Sequence, residues 1–484
     1  MRSRRVTLAV TVIALLAACA APTPTPTRVP AASATQQPVT ATHPPTLTPV
    51  PPTVTQSPTV TPSAYATSLP TATPEPSATL TPSPYPTASA TPAPTATFAP
   101  LGPATLGAVQ QFELVGHNVL GSVGWWGALA LHGHYAYVGS YRQTQVAIVD
   151  IGDPANPRQL PGLELGPRSQ PIELRTLSDL KLLVISDSVN NRLLTYDLAD
   201  PERPALLADY ALPEEPHEFY LWRDAQRVLA WVSLFYHHPP SLVVIDLTDP
   251  RDPVEVGRWS AADDGVAGDL HSISVSADGR SAYASMWKGG TVVLAIDLPK
   301  ISALRAPGQR PGITFVNVHS SVSMRDPRYL LLAQEISTCP FAGMRIIDIS
   351  DPARPVAVSH MLLPENACTG IPAGGTYSVH NPLVVGDLVL ASWYAGGVQA
   401  WDVSDPALPR RVGQYVPTGE GSGGQNLWGS TYPVAMFSYP IVRDGLIYVS
   451  DGQTGLHILR YTGPGREAID SGAHVEGNVT LLDK

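Results

Sequence analysis

The 484-residue chain is poor in charge, with 14% Asp, Glu, Lys and Arg, and in cysteine, with three. Its 30 basic residues stand against 40 acidic ones, for a formal net charge of −10, and no run rich in Lys or Arg occurs. The electrostatic footprint of a nucleic-acid binder is therefore missing. Beyond the first twenty residues no apolar stretch is long enough to cross a bilayer. The chain also lacks a G-x-S-x-G elbow, an H-E-x-x-H pair and a phosphate-binding glycine loop, which leaves no hydrolase signature. The run GEGSGGQN (419–426) is glycine-rich, but no helix pattern follows it, and it reads as a connection. Helical periodicity of any length is absent.

The N-terminus reads as a leader and a tether. Arg2, Arg4 and Arg5 precede an apolar run from Val6 to Leu16, the layout of an export signal. The run ends in Leu16-Ala17-Ala18-Cys19, which resembles a bacterial lipobox. That resemblance implies a signal over 1–18, acylation of Cys19, and an exported protein held on the extracytoplasmic side of a membrane. Two or more acyl chains would anchor it firmly, where one binds marginally. Residues 21–100 contain 21 prolines and 21 threonines, with Arg28 and Glu75 the only firm charges. Such a segment cannot bury enough apolar surface to offset its ordering entropy. As a stiff, extended chain it reaches on the order of 200 Å, so 19–100 is expected to be a lipidated cysteine and a disordered stalk. Pro with Thr and Ser also fits an O-glycosylated stalk. The two remaining cysteines, Cys339 and Cys368, most simply form one disulfide in an exported domain. The alternative is a thiolate metal ligand.

Residues 101–484 are long enough for two domains or one repeat architecture. One phrase recurs through them: DIGDPANP (150–157), DLADPERP (197–204), DLTDPRDP (246–253), DISDPARP (348–355) and DVSDPALP (402–409). Aligned on its first Asp, the chain repeats at Asp150, Asp197, Asp246, Asp297, Asp348, Asp402 and, with Arg in place of Asp, Arg460, at gaps of 47 to 58 residues. Upstream of each lies a second apolar run, such as YAYVGS (135–140), LLVISD (182–187) or LIYVSD (446–451), and short runs flank both. Four short strands per unit, seven times over, predict an all-β fold, a seven-bladed β-propeller of four-stranded blades. The last unit lacks an outer strand after Tyr461, and VQQFELVGH (109–117) is expected to supply it, closing the ring. With strands named a to d from the centre outwards, the phrase ends strand c and turns into strand d. Asp opens the turn, Pro fixes φ near −65°, and the second Pro starts an edge strand. The phrase is a corner, not a catalytic pair.

Stretches such as HNPLVVGDLVLASWYAGGVQAWDVSDPALPRRVGQY (380–415) and WGSTYPVAMFSYPIVRDGLIYVSDGQTGLHIL (428–459) resemble the LVIVD-repeat proteins. That likeness implies the propeller fold and a cell-surface setting, and little about activity. A more distant likeness, in repeat style and some histidines, is to the selenium-binding, methanethiol-oxidase type of propeller, which implies histidine-bound copper.

Four histidines fall near the start of strand a: His217, His271, His319 and His380. Imidazoles from neighbouring blades at one radius can converge on a metal such as Cu, Zn or Fe. Equally, each can cap its own strand. The b–c loops share that face and carry Glu335, Trp287, Trp393, Tyr394 and the pair His237–His238, and the last unit contributes Trp428. Glu335 can complete a metal site or fix a histidine tautomer. Packing between blades is the competing role for Trp287 and Trp393. The expected function is a membrane-anchored binding module, a monomer offering its loop-rich face to a protein, glycan or small molecule. A metal-dependent enzyme, an oxidoreductase centred on the histidines, is the alternative.

Overall fold

The structure, a computed structural model, describes residues 101–121, 125–235, 241–427, 429–472 and 474–481. The expected leader, Cys19 and stalk, together with His237, His238 and Trp428, lie outside the described residues.

Seven antiparallel sheets form, six of four strands and one of five. Six are continuous in sequence, over 126–164, 171–211, 219–259, 270–303, 318–361 and 382–415, and are numbered here as blades one to six. The seventh combines Ile441–Arg443, Leu446–Asp451 and Gly455–Tyr461 with an outer strand from the other end of the domain, Phe112–Asn118. Its register pairs Phe112 with Tyr461 and His117 with His457. This is the expected seven-bladed propeller, closed by an N-terminal strand. The closing segment divides, however: Val109 and Gln110 pair with Tyr415 and Gln414 and add a fifth strand to blade six.

The burial pattern explains the sequence pattern. Middle strands are covered by a blade on either side, so they read as continuous apolar runs, as in Leu182–Asp187, where every residue is buried. Outer strands have one wet face and read as mixtures, as in Ala205–Ala211. Seven apolar clusters fill the spaces between blades, for example Trp231, Leu242 and Trp259 against Ile273, Ala284 and Met286.

The repeated phrase is a corner in all five copies. Its first Asp accepts the backbone N–H two residues on: Asp150 from Gly152 (3.0 Å), Asp197 from Ala199 (2.8 Å), Asp246 from Thr248 (2.8 Å), Asp348 from Ser350 (2.7 Å) and Asp402 from Ser404 (3.0 Å). The second Asp repeats the device in four copies. The corner also latches blades together. The carbonyls of Pro201, Pro250 and Pro406 accept hydroxyls of Tyr137 (2.7 Å), Thr195 (2.6 Å) and Ser359 (2.7 Å), each from the preceding blade. Where blade seven meets blade one, a Cβ on Gly116 would fall on the carbonyl of Pro154, far inside contact distance.

A second latch lies on the opposite face. Six of the seven b strands carry a buried serine at or near their end: Ser140, Ser186, Ser233, Ser285, Ser392 and Ser450. Ser233 donates to the His271 carbonyl (2.8 Å), Ser392 to that of Ser438 (2.6 Å) and Ser450 to that of Gly127. Each tie holds the start of the next blade's innermost strand, which is where the histidines stand. Cys339 and Cys368 form a disulfide with Cα atoms 5.9 Å apart, joining the b–c loop of blade five to the connection into blade six.

Candidate metal centre at the channel mouth

All four histidines come together. His271 and His319 are the second residues of Leu270–Val275 and Val318–Ser323, and His217 and His380 stand two residues before Phe219–Arg223 and Pro382–Val385. Blades three to six thus each contribute one imidazole. They form a continuous row, with ring centroids 4.3, 4.2 and 4.1 Å apart from His217 to His380. His217 Nε2 lies 2.9 Å from His271 Nε2. His271, His319 and His380 are 3%, 1% and 5% exposed, so the row is inside the protein.

Two carboxylates face the row. Glu218 Oε1 is 3.5 Å from His319 Nε2, and Glu335 Oε2 is 4.0 Å from the same atom. Ligand atoms of Glu218, His271 and His319 lie within 4.8 Å of one another, as do those of His319, Glu335 and His380. Tyr394 donates its hydroxyl to Glu335 Oε1 (2.6 Å) and fixes that carboxyl.

The electrostatics favour uncharged ligands. Burial holds His217 down at about 4 and His380 at about 3. Burial, aided by the neighbouring imidazoles, holds His271 and His319 well below their ordinary range. Glu335 is pushed up to about 7 by burial, against the pull of the Tyr394 hydroxyl. Glu218 is also pushed well above its ordinary range, by burial and by Glu173, with Arg175 opposing. The opposed shifts of Glu218 and His319 both favour the neutral form of each partner across their 3.5 Å contact. A neutral imidazole nitrogen is the form that coordinates a metal.

The outer contacts orient this set. His380 Nδ1 lies 2.7 Å from the Phe437 carbonyl, an arrangement that puts the proton on Nδ1 and leaves the Nε2 lone pair for the row. Asn381 Nδ2 donates to the same carbonyl (3.0 Å). The Nδ1 atoms of His271 and His319 are buried with no hydrogen-bond partner among the described residues.

Other expected residues divide between the row and the core. Trp287 stacks on His271 at 4.9 Å and 18°, and so belongs to the site. Tyr394 lies 4.9 Å from His380. Trp393, expected beside them, turns away: it is fully buried, stacks on Trp401 and donates to the Tyr377 carbonyl (2.8 Å). It packs between blades five and six, whereas Tyr394, the next residue of the same b–c turn (393–397), faces the row. Three contributors were not anticipated. Glu218 follows His217 directly. Phe235 lies 4.9 Å from both His217 and His271, and Phe437 4.1 Å from His380. The adjacent Glu218 could have been found as a second ligand type beside a singled-out histidine.

The LVIVD repeat matches residues 126–159, which span three strands and the corner of blade one, and 341–362, which span the third strand, corner and fourth strand of blade five. No curated protein matches. Among solved structures, hydrazine synthase of Kuenenia stuttgartiensis is similar at 13% identity and a TM-score of 0.47, covering 70% of this chain and 96% of that one. The Cps50 (Swd1) β-propeller domain of Myceliophteria thermophila is similar at 14% identity and a TM-score of 0.46, covering 72% and 99%.

Proposed function

We propose that the protein is an exported, lipid-anchored propeller whose channel mouth binds one transition-metal ion through His217, His271, His319 and His380, with Glu218 or Glu335 as a further ligand. The observation that carries this is the convergence of four imidazoles from four successive blades, three of them buried and His217 half-buried at the end of the row. Structural repetition does not require it, since blades one, two and seven place no histidine there. The imidazole–carboxylate set suits Cu, Zn or Fe. Redox chemistry at such a centre is the reading that separates an enzyme from a plain binding module, and the rings of Trp287, Phe235 and Phe437 wall the row. The Leu16–Cys19 motif and the Pro/Thr stalk support a membrane anchor that lifts the domain off the surface.

The test is elemental analysis of the protein purified without chelator, beside a His271→Ala, His319→Ala double variant. About one Cu, Zn or Fe per chain, absent from the folded double variant, is expected. A metal-free wild type that also fails to take up any of these ions on addition would overturn the proposal.

A further inference from the structure

After the last blade, residues 475–480 pack back onto the propeller. Val475 pairs with Val442 on the innermost strand of blade seven, and Val479 with Leu221 on that of blade three. Backbone bonds fix both ends: Val442 and Val475 exchange N–H···O contacts of 2.8 Å, Leu221 N donates to Asn478 O (3.0 Å), and Thr480 N donates to Leu221 O (2.8 Å). In a seven-bladed ring, blades three and seven face each other across the centre, so this segment crosses the channel. Both its contact strands are met downstream of the histidine row, so it lies deeper in the channel than the row.

One side chain of the segment reaches the site. Asn478 Nδ2 donates to Glu218 Oε2 (3.0 Å). The Tyr439 hydroxyl donates to the same oxygen (3.2 Å), and the guanidinium of Arg175, itself paired with Glu173, lies 5.3 Å over the Tyr439 ring. Asn478 and Tyr439 are 4% and 3% exposed. Two donors on Oε2 hold the carboxyl in one orientation, and that orientation turns Oε1 to His319 Nε2.

Resting on the reading of the histidine row as a metal centre, we propose that Asn478 is a positioning residue of that centre: the channel-crossing segment closes the channel behind the row and aims Glu218 Oε1 at the ion. Residues 260 positions apart in sequence then form one working unit. Outer partners of this kind are worth 10- to 100-fold in metal affinity in general.

The experiment uses the full chain loaded with Co(II), whose visible absorption bands report coordination geometry. Asn478→Ala is expected to change the band pattern and weaken Co(II) binding by about 10-fold or more. Tyr439→Phe, which removes the other donor, should move both readouts the same way, and it decides the matter if Asn478→Ala does not fold. Thr480→Ala alters the same segment without touching Glu218, its hydroxyl meeting Tyr220 instead (3.1 Å), and should leave the bands in place even if the melting temperature drops. Wild-type bands and affinity in Asn478→Ala and Tyr439→Phe, or an equal change in Thr480→Ala, would overturn the inference. If wild type takes up no metal, the metal reading fails by itself, and the imidazole nitrogen-15 shifts of His319 in the metal-free protein decide about Asn478. A shift in Asn478→Ala but not in Thr480→Ala supports the positioning role; no shift rejects it.

Discussion

The two faces of the propeller are built on opposite principles. The corner face repeats one phrase five times, its second aspartates exposed and its first half-buried, and Asp150 is held below the usual carboxylate range by the Gly152 N–H and by Arg158. The mouth face repeats less. Its histidines occupy four consecutive blades and stop, its carboxyls are driven up, its imidazoles are driven down, and two ring nitrogens make no hydrogen bond among the described residues. In a repeat protein the motif written most often serves the architecture, and chemistry gathers where the repeat is broken.

The sharpest way to break that contrast is at Gly116, on the corner face. Gly116→Ala drives a methyl group into the Pro154 backbone at the junction of blades seven and one, and is expected to destabilise the fold by about 3 kcal/mol or more. Metal content of whatever folds should be unchanged. Chemical denaturation measures the first effect; a stable Gly116→Ala protein would contradict the closure described here.

Acid separates the faces next. In chelator-treated protein, His217, His271, His319 and His380 have folded values below the ordinary 6.5, so the unfolded chain binds more protons and stability falls as pH drops through this range. Glu218, Glu335 and Asp451 have raised folded values, so they act with the opposite sign down to the unfolded carboxyl range. The two sets largely offset each other between pH 6.5 and about 4.5. Below that the imidazoles still bind fewer protons folded than unfolded, His217 only down to about 4, at up to about 1.4 kcal/mol per pH unit each, and lowered aspartates such as Asp150 and Asp402 add to the loss with the same sign. A melting temperature nearly level down to about pH 4.5, then falling steeply, is expected from thermal scans. A steady decline from pH 6.5 would mean that the carboxyls are not held neutral.

The smallest effect belongs to a single corner. Asp405→Ala removes one exposed acceptor for the Ala407 N–H (3.0 Å) and should cost less than about 1 kcal/mol, with no change in metal content. A loss of metal in this variant would blur the division between the faces.

The propeller was largely legible in the chain because apolar runs and turn chemistry are local signals. All seven b strands start where the runs start, and the one deviation is that Trp393 lies just past Leu388–Ser392. The four histidines were legible because they share a place in the repeat. The side of the ring that each b–c residue faces was not: Trp393 and Tyr394 are neighbours, yet one enters the core and the other the site, a matter of backbone twist at Tyr394, where φ is +32°. Glu218 hid behind His217. The segment 474–481 carries no repeat and was invisible as a structural element, since its strand pairings are with residues more than thirty positions away, at Val442 and Leu221. The serine ends of the b strands were in plain view in YAYVGS, VLAWVS and LIYVSD, but a hydroxyl at a strand end carries no message until its partner blade is known.

X-ray absorption at the metal edge of the loaded protein tests the central claim most directly. The account predicts a first shell of nitrogen and oxygen at roughly 2.0–2.1 Å, with the outer-shell scattering of several imidazoles, reduced in His319→Ala. A shell without imidazole scattering, or one containing sulfur, would place the ion elsewhere in the chain and contradict the assignment of the histidine row.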